Sequence, residues 1–401
     1  MERKRTGPLE GIRILDVTRA TAGPFASMML ADLGAEVIKI ETPPGSGGLD
    51  SRSKLDTDYQ IGDDDLHFIA FNRNKKSVVL DLRKNEGKSV FYDLTKISDV
   101  VIDNFRPGVL ERLKLDFDTL KKFNPRIISC SNSGFGYSGP RMMNPAFDII
   151  ILGLSGLLEA FNCQEEDGRL SPFPLPLADH LGGMWMAFSV AAALANVSRT
   201  GEGQRIDVAM LDGTISLMGA LSSYILNFGL RRRTGLMHLY GTFKTANGNI
   251  IIAAQREKFF INLCKAIQKE DILTDEKYNT ISKRMSNHKQ LRALIEESLA
   301  TKGREEWIEI LHKADVPCGP VLSIEEALKD PQLEARNMIV TLTKGDTKVR
   351  VLGNPVKNSI IEDQQYNYPP EYGEHTEVVL SETLGYTKEK INELKSLNAI
   401  T

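Results

Sequence analysis

The chain reads as an α/β protein, with an open parallel sheet carrying helices on both faces and a smaller α+β domain after it. Three observations predict this. A strand-helix-strand unit spans residues 12–41, the same alternation returns through residue 131, and beyond residue 248 it gives way to one strand and a run of helices. Ile12-Arg13-Ile14-Leu15-Asp16-Val17 is a buried-strand pattern, and Pro24 marks the first turn of a helix that runs to about Leu33 and is closed by Gly34. Ala35-Glu36-Val37-Ile38-Lys39-Ile40-Glu41 supplies the next strand, so the crossover is right-handed and the two strands are parallel. Strands at 77–82, 99–102 and 126–131 then alternate with helices at 85–96 and through about 123.

A strand near 204–210 and a helix near 211–228 follow a long apolar segment. Arg231-Arg232-Arg233 then reads either as a solvated linker or as a partner for a second carboxylate on a ligand. The second domain holds a strand at 249–254 and helices at 256–268, 287–300 and 304–314. Past Val316-Pro317-Cys318-Gly319-Pro320, short strands at 338–343 and 347–353 and an amphipathic helix at 387–397 return to the first domain, which is therefore discontinuous. The boundaries read as 1–200 for the large domain, 201–247 for a linker, 248–315 for the small domain, 316–345 for a second linker and 346–401 for the return.

Composition narrows the class. With 401 residues the chain exceeds one ordinary core, and 41% hydrophobic with 26% charged residues is a soluble globular balance. A formal net charge of −3 offers nothing to a polyanion, so nucleic acid is not an expected partner. The longest uncharged run, Leu181 to Val197, is short for a membrane span and reads as a core helix. Cys130, Cys163, Cys264 and Cys318 have neither metal-ligand spacing nor the density of a disulfide framework, and the charged N-terminus is not followed by an apolar stretch. Reduced thiols in a cytoplasmic protein are the expectation.

In open parallel sheets ligands bind beyond the carboxyl ends of the strands. Here those ends are rich in Gly, Ser, Thr, Asn and Arg, and the turn Thr18-Arg19-Ala20-Thr21-Ala22-Gly23-Pro24 lacks the G-x-G-x-x-G spacing of dinucleotide enzymes. No nucleophile elbow surrounds Ser131 or Ser133, and no His or carboxylate cluster has metal spacing, so no metal is expected. What stands out is Asp179 in Pro172-Phe173-Pro174-Leu175-Pro176-Leu177-Ala178-Asp179-His180-Leu181-Gly182-Gly183, between a stiff proline-rich approach and an apolar helix. Asp179 reads either as the helix N-cap or as a catalytic carboxylate, kept ionised at neutral pH by the helix start, with the two glycines leaving room for a substrate. Such a carboxylate can attack an activated acyl group such as a thioester.

The whole chain resembles the class III (CaiB/BaiF-type) CoA-transferases. The resemblance rests on an ordered set of segments: Leu9-Glu10-Gly11-Ile12-Arg13-Ile14-Leu15-Asp16, Ala22-Gly23-Pro24-Phe25-Ala26, Leu33-Gly34-Ala35-Glu36-Val37, Asn72-Arg73-Asn74-Lys75-Lys76-Ser77, Asn104-Phe105-Arg106-Pro107-Gly108, Ser133-Gly134-Phe135-Gly136, Pro317-Cys318-Gly319-Pro320 and Gly373-Glu374-His375-Thr376. The resemblance implies a Rossmann-like large domain, a smaller domain and an interlocked homodimer. It implies that Asp179 takes the acyl group from an acyl-CoA as a mixed anhydride, then takes CoA as an aspartyl thioester, which an acceptor carboxylate reverses. CoA and acyl-CoA are then substrates, and no tightly bound cofactor is expected. The CoA contacts it implies are Ala20, Thr21, Thr42, Leu80, Arg83, Asn104, Phe105, Arg106 and Arg112, with Pro145, Phe147 and Asp148 flanking the reactive centre. Thr42 stands where some members have an arginine, and Arg83 where the family has a lysine.

Two other readings remain. The racemases of this family place a proton-exchanging His before an Asp, but the corresponding pair here is Phe147-Asp148, and a phenyl ring cannot exchange protons. An acyl-CoA-binding protein without turnover is the other. The stretch 233–241 lacks the run of glycines that formyl-CoA:oxalate transferases use as a lid, which points away from oxalate toward a larger or less polar acid such as a dicarboxylate, hydroxy acid or carnitine-like acid.

Overall fold

A computed structural model describes residues 7–43, 52, 59–61, 64–161, 169–171, 173–229, 239–361 and 364–401. Arg231-Arg232-Arg233, Cys163, Pro172 and most of the stretch 233–241 lie outside the described residues. Two compact units are present: Met1–Gly219 together with Asn337–Thr401, and Ala220–Arg336.

The larger unit is built on β1 (Arg13–Asp16), α1 (Ala22–Asp32), β2 (Glu36–Glu41), α2 (Leu66–Phe71), β3 (Lys75–Val79), α3 (Asn85–Lys96), β4 (Val100–Asp103), α4 (Val109–Leu113), β5 (Ile128–Ser133), α5 (Asp148–Leu154), α6 (Leu177–Thr200), β6 (Arg205–Ala209) and α7 (Met210–Ser216). Its six strands lie in the order β3-β2-β1-β4-β5-β6, and every neighbouring pair is parallel. The chain winds outward from β1 in one direction and from β4 in the other. β1 and β4 therefore flank a topological switch point, where the loops at their carboxyl ends separate and leave a crevice.

Two-residue periodicity divides the strand side chains between two cores. Leu15, Ile38, Val78 and Val101 face Phe91 and Leu94 of α3, and the C-terminal Leu380, Ile391 and Ile400 close the same cluster. Ile14, Val37, Val100, Ile128 and Cys130 face the other way, onto Ala26 and Leu30 of α1 and Met186 and Val190 of α6. Asp81 N donates to Ala399 O at 2.8 Å, which ties the chain's end to the loop after β3.

Several edges differ from the sequence expectation. Strand β3 starts at Lys75 rather than 77, because Lys75 and Lys76 pair with Val37 and Ile38 and the Lys75 side chain is buried against Asp16. A lysine inside a buried strand carries no apolar signal. The strand expected near 204–210 is β6, and it closes the sheet edge through pairs such as Ser129 with Arg205 and Ser133 with Ala209, so the large unit extends past the boundary read at 200. The strands expected at 338–343 and 347–353 form an antiparallel hairpin, Ile339–Lys344 with Thr347–Leu352, in the larger unit, which therefore begins before the boundary read at 346. The helix expected over 211–228 is broken into Met210–Ser216 and Gly219–Phe228.

By length and composition α6 could cross a membrane. Its Met186, Val190, Ala193 and Val197 instead pack on the sheet, as a core helix does. The smaller unit has an antiparallel three-stranded sheet of Tyr240–Lys244, Asn249–Ala253 and Cys318–Pro320. Its core gathers Phe243, Ile250, Ile252, Phe260, Leu291 and Trp307.

Candidate active site

A cavity of about 790 Å³ opens at the switch point, within the size range of small-molecule sites. Of the residues picked from the sequence, Ala20, Asn104, Phe105, Arg106, Arg112, Phe147, Asp148 and Asp179 line it. Arg19 and Asn132, which the sequence did not single out, line it too. Both lie in strand-end segments already marked as ligand-facing, but nothing local distinguished them from their neighbours.

The crevice walls are locked across the sheet. Asn104 Oδ1 accepts from Arg19 N at 2.9 Å, and its Nδ2 donates to Arg19 O at 2.8 Å, so one amide clamps both sides of the opposite loop's backbone. The Arg19 guanidinium lies 4.4 Å from the Phe105 ring centroid. Beside it Ala20 has φ 54°, a left-handed conformation costing an L-residue about 1–2 kcal/mol, which the surrounding loop must hold in place.

Below this loop lies a buried charge cluster. Asp16 Oδ2 meets Lys75 Nζ at 3.1 Å with both side chains fully buried, and Lys39 Nζ donates to Thr18 O at 3.0 Å. Asp16 also accepts from Ser27 Oγ at 2.6 Å and from Thr18 N and Oγ1 at 2.9 and 2.5 Å. Burial pushes the Asp16 carboxyl up, but Lys39, Lys75 and the two hydroxyls more than reverse this and hold it below the usual carboxylate range. The cluster fixes the turn between β1 and α1, and therefore the position of Arg19 and Ala20.

At the other wall the two aspartates divide their roles differently from the expectation. Asp179 is the third residue of α6, and Pro176 occupies the N-cap. The cap is supplied from outside: Asp148, at the start of α5, accepts from Ala178 N at 2.6 Å and Asp179 N at 3.1 Å through one oxygen. Among the described residues no group donates to the Asp179 carboxyl. Burial first, and then the nearby Asp148 charge, push Asp179 up to about 7. The helix start therefore does not lower Asp179 as expected, because Asp148 accepts from its N–H groups. Asp148 is itself raised by burial, which its two backbone donors only partly offset. His180 points elsewhere, with Nδ1 2.7 Å from Pro176 O and its ring packed on Phe25 and Phe71.

Five of the implied contacts fall outside the cavity. Leu80 is a fully buried core residue. Thr21 Oγ1 lies 3.1 Å from His67 Nε2, and Thr42 is buried, its carbonyl accepting from Tyr372 Oη at 2.9 Å. Arg83 lies beyond β3 and forks onto Asp81, with Nε–Oδ1 and Nη2–Oδ2 both 2.8 Å. Pro145 is exposed next to the lining residues Asn144 and Ala146. A local motif identifies the loop but not which of its side chains the tertiary fold turns inward.

The glycine pair after Asp179 also serves a different purpose from the one expected. A Cβ at Gly183 would sit 2.5 Å from Ala22 O and 3.0 Å from the Phe25 ring, and one at Gly182 would sit 2.6 Å from Asn132 Nδ2. These glycines let α1, α6 and β5 approach; they are not open space for substrate. Gly183→Ala is therefore expected to lower stability by about 1–3 kcal/mol through overpacking, alanine's better helix propensity offsetting about 1 kcal/mol at most. A denaturant midpoint equal to or above that of the native protein would contradict this packing.

With this geometry in place, the comparisons are direct. A family model described as CoA-transferase family III matches residues 9–376, and the chain belongs to that family. It is an enzyme of the CoA-transferase class. The acetyl-CoA:oxalate CoA-transferase of Acetobacter aceti is 37% identical over 90% of this chain and 91% of its own. The succinate–glutarate CoA-transferase of Agrobacterium fabrum is 34% identical over 94% of this chain and 96% of its own. The crystal structure of a CaiB/BaiF family protein from Brucella suis superposes with a TM-score of 0.81 at 30% identity, covering 94% of this chain and 100% of that one.

Proposed function

We propose that the protein moves CoA from an acyl-CoA donor to a dicarboxylic acid through covalent intermediates on Asp179. The observation that carries this reading is a buried carboxyl, free of capping duty and without a hydrogen-bond donor, in a cavity shared with Arg19, Arg106 and Arg112. A carboxylate so poorly solvated is a stronger nucleophile than one in water, and guanidinium groups suit the phosphates and carboxylates of the two substrates. Asp179 attacks the thioester carbon; the new C–O bond forms as the C–S bond breaks, and the electron pair leaves on sulfur as CoA thiolate. The thiolate then attacks Cγ of Asp179, releasing the donor acid as its carboxylate and leaving an aspartyl-CoA thioester. The acceptor acid runs both steps backward.

A dicarboxylate acceptor accords with the three arginines and with the oxalate and glutarate in the names of two relatives. Oxalate, disfavoured from the missing glycine run, belongs back among the candidates. Racemisation finds no support, since Phe147 lines the cavity at the position where a proton-exchanging group is needed. The working unit we infer is a homodimer: Met184, Trp185 and Phe188 leave an apolar strip exposed along α6, which a second copy would cover. A single-chain mass in light scattering would count against it.

The direct test is to mix the protein with an acyl-CoA lacking acceptor, quench, and map adducts by mass spectrometry. CoA or a hydroxylamine-sensitive acyl group is expected on the peptide containing Asp179; turnover with no adduct there would sink the mechanism. The rate of transfer is also expected to rise with pH through about 7, as Asp179 loses its proton. Asp148→Asn keeps an oxygen for the two N–H groups but removes the charge that helps raise Asp179. Its pH midpoint is therefore expected to move to lower pH, and an unchanged or higher midpoint in the rate profile would show that the pair is not coupled.

A further inference from the structure

Along β5 the side chains of Ile128, Cys130 and Asn132 share one face, because they are two residues apart. Ile128 and Cys130 pack in the apolar seam with Met186 and Val190 of α6. Asn132 continues that seam one step further, to where it meets Gly182, one helical turn from Asp179 on the same side of α6. An apolar side chain would fit the seam, yet the position holds an amide that is 2% exposed. Among the described residues neither its Nδ2 nor its Oδ1 has a hydrogen-bond partner. Leaving a buried amide unsatisfied is destabilising, so the site carries a group that the fold does not use. The opposite face of the same strand shows the contrast: Ser131 Oγ donates to Asp103 Oδ2 at 2.6 Å. Asn132 borders the cavity that also holds the Asp179 carboxyl, itself without a donor.

We propose that Asn132 is a catalytic hydrogen-bond donor, its Nδ2–H directed at the oxygen that becomes negative when CoA thiolate attacks Cγ of Asp179. The inference rests on the reading of Asp179 as the nucleophile. In that step the S–C bond forms, the carbonyl π pair moves onto oxygen, and the tetrahedral species collapses as the bond to the acid's oxygen breaks and the carboxylate departs. A neutral amide is suited to this role. It neither quenches the nucleophile as a lysine would nor adds a third negative charge beside Asp148 and Asp179. Holding the amide unpaired in the free enzyme keeps it available for the transition state, which is the condition under which such a donor accelerates reaction most.

The test uses Asn132→Ala and Asn132→Leu in the full chain, with kcat, KM for both substrates, thermal midpoint, and the rate at which the Asp179 peptide acquires CoA after rapid quench. The expected result is a loss of kcat of about 100-fold or more with KM nearly constant, slower CoA loading, and a thermal midpoint equal to or above that of the native protein. Stability that does not fall is the signature that a structural amide would not give. A folded Asn132→Ala protein with kcat and CoA loading within about threefold of native would overturn the proposal. So would a rise in KM alone, which would mean ground-state binding, or a thermal midpoint lowered in both variants, which would mean that the amide is held by the protein. If the native protein itself forms no Asp179 adduct, the nucleophile reading fails and the donor role falls with it. Adduct in the native protein with unchanged loading in the variants removes the role of Asn132 alone.

Discussion

Asp179→Ala is expected to abolish transfer, by about four orders of magnitude or more, while leaving a protein at least as stable as the native one. The first half follows from the proposed mechanism, in which both covalent intermediates form on the Asp179 carboxyl. The second half follows from the local structure. Asp148, not Asp179, caps α6, and no group among the described residues donates to the Asp179 carboxyl, so truncation breaks no hydrogen bond. Asp179 is raised from 3.8 to about 7, so between those values the folded protein holds a proton that the unfolded chain releases. Its contribution to stability is therefore fully present below the lower value and is lost as pH rises toward the upper one. The thermal midpoint of Asp179→Ala relative to native should thus improve from about pH 5 to about pH 7. A variant that unfolds at neutral pH, or that retains full transfer activity, would refute the corresponding half.

Asp16→Ala is expected to cost about 3–5 kcal/mol of stability, because it strands a buried lysine without its counter-charge. Lys75 is fully buried; burial pulls its ammonium down, and Asp16 supplies the main opposing attraction. The same substitution removes the acceptor for Ser27 Oγ and for Thr18 N and Oγ1. The turn carrying Arg19 and the left-handed Ala20 then loses its support, and activity should fall together with stability. Combining Asp16→Ala with Lys75→Met should cost less than the sum of the two single changes, since the pair is replaced by apolar groups instead of being broken. Denaturant unfolding measures all three proteins, and additive losses would show that Asp16 and Lys75 are not coupled.

Both predictions turn on groups whose surroundings were only partly legible from the amino-acid order. The first crossover was readable because a buried parallel sheet demands apolar strands punctuated by proline and glycine, and residues 12–41 supply all of these. The start of β3 differs from the expectation because Lys75 sits inside the strand with its charge met by Asp16, fifty-nine residues away, and β5 runs past the expected end at residue 131 through the polar Asn132 and Ser133. Asp179 was conspicuous because prolines and glycines frame it. Its upward shift was not, because the residue that takes the helix N–H groups lies thirty-one positions earlier.

The sequence by itself determined the fold class, because apolar period, proline and glycine are local patterns that survive without a structure, and the family, through an ordered set of segments that resembles it; it also singled out Asp179. Only the tertiary structure decided which strand-end side chains share one cavity. It brought Asp148 to the start of α6, turned Leu80 and Thr42 inward, gave Gly182 and Gly183 to close packing, and set Asn132 unpaired in an apolar seam beside Asp179. These outcomes depend on contacts between segments tens to hundreds of residues apart, where burial and a neighbour's charge outweigh the local preferences that a sequence displays.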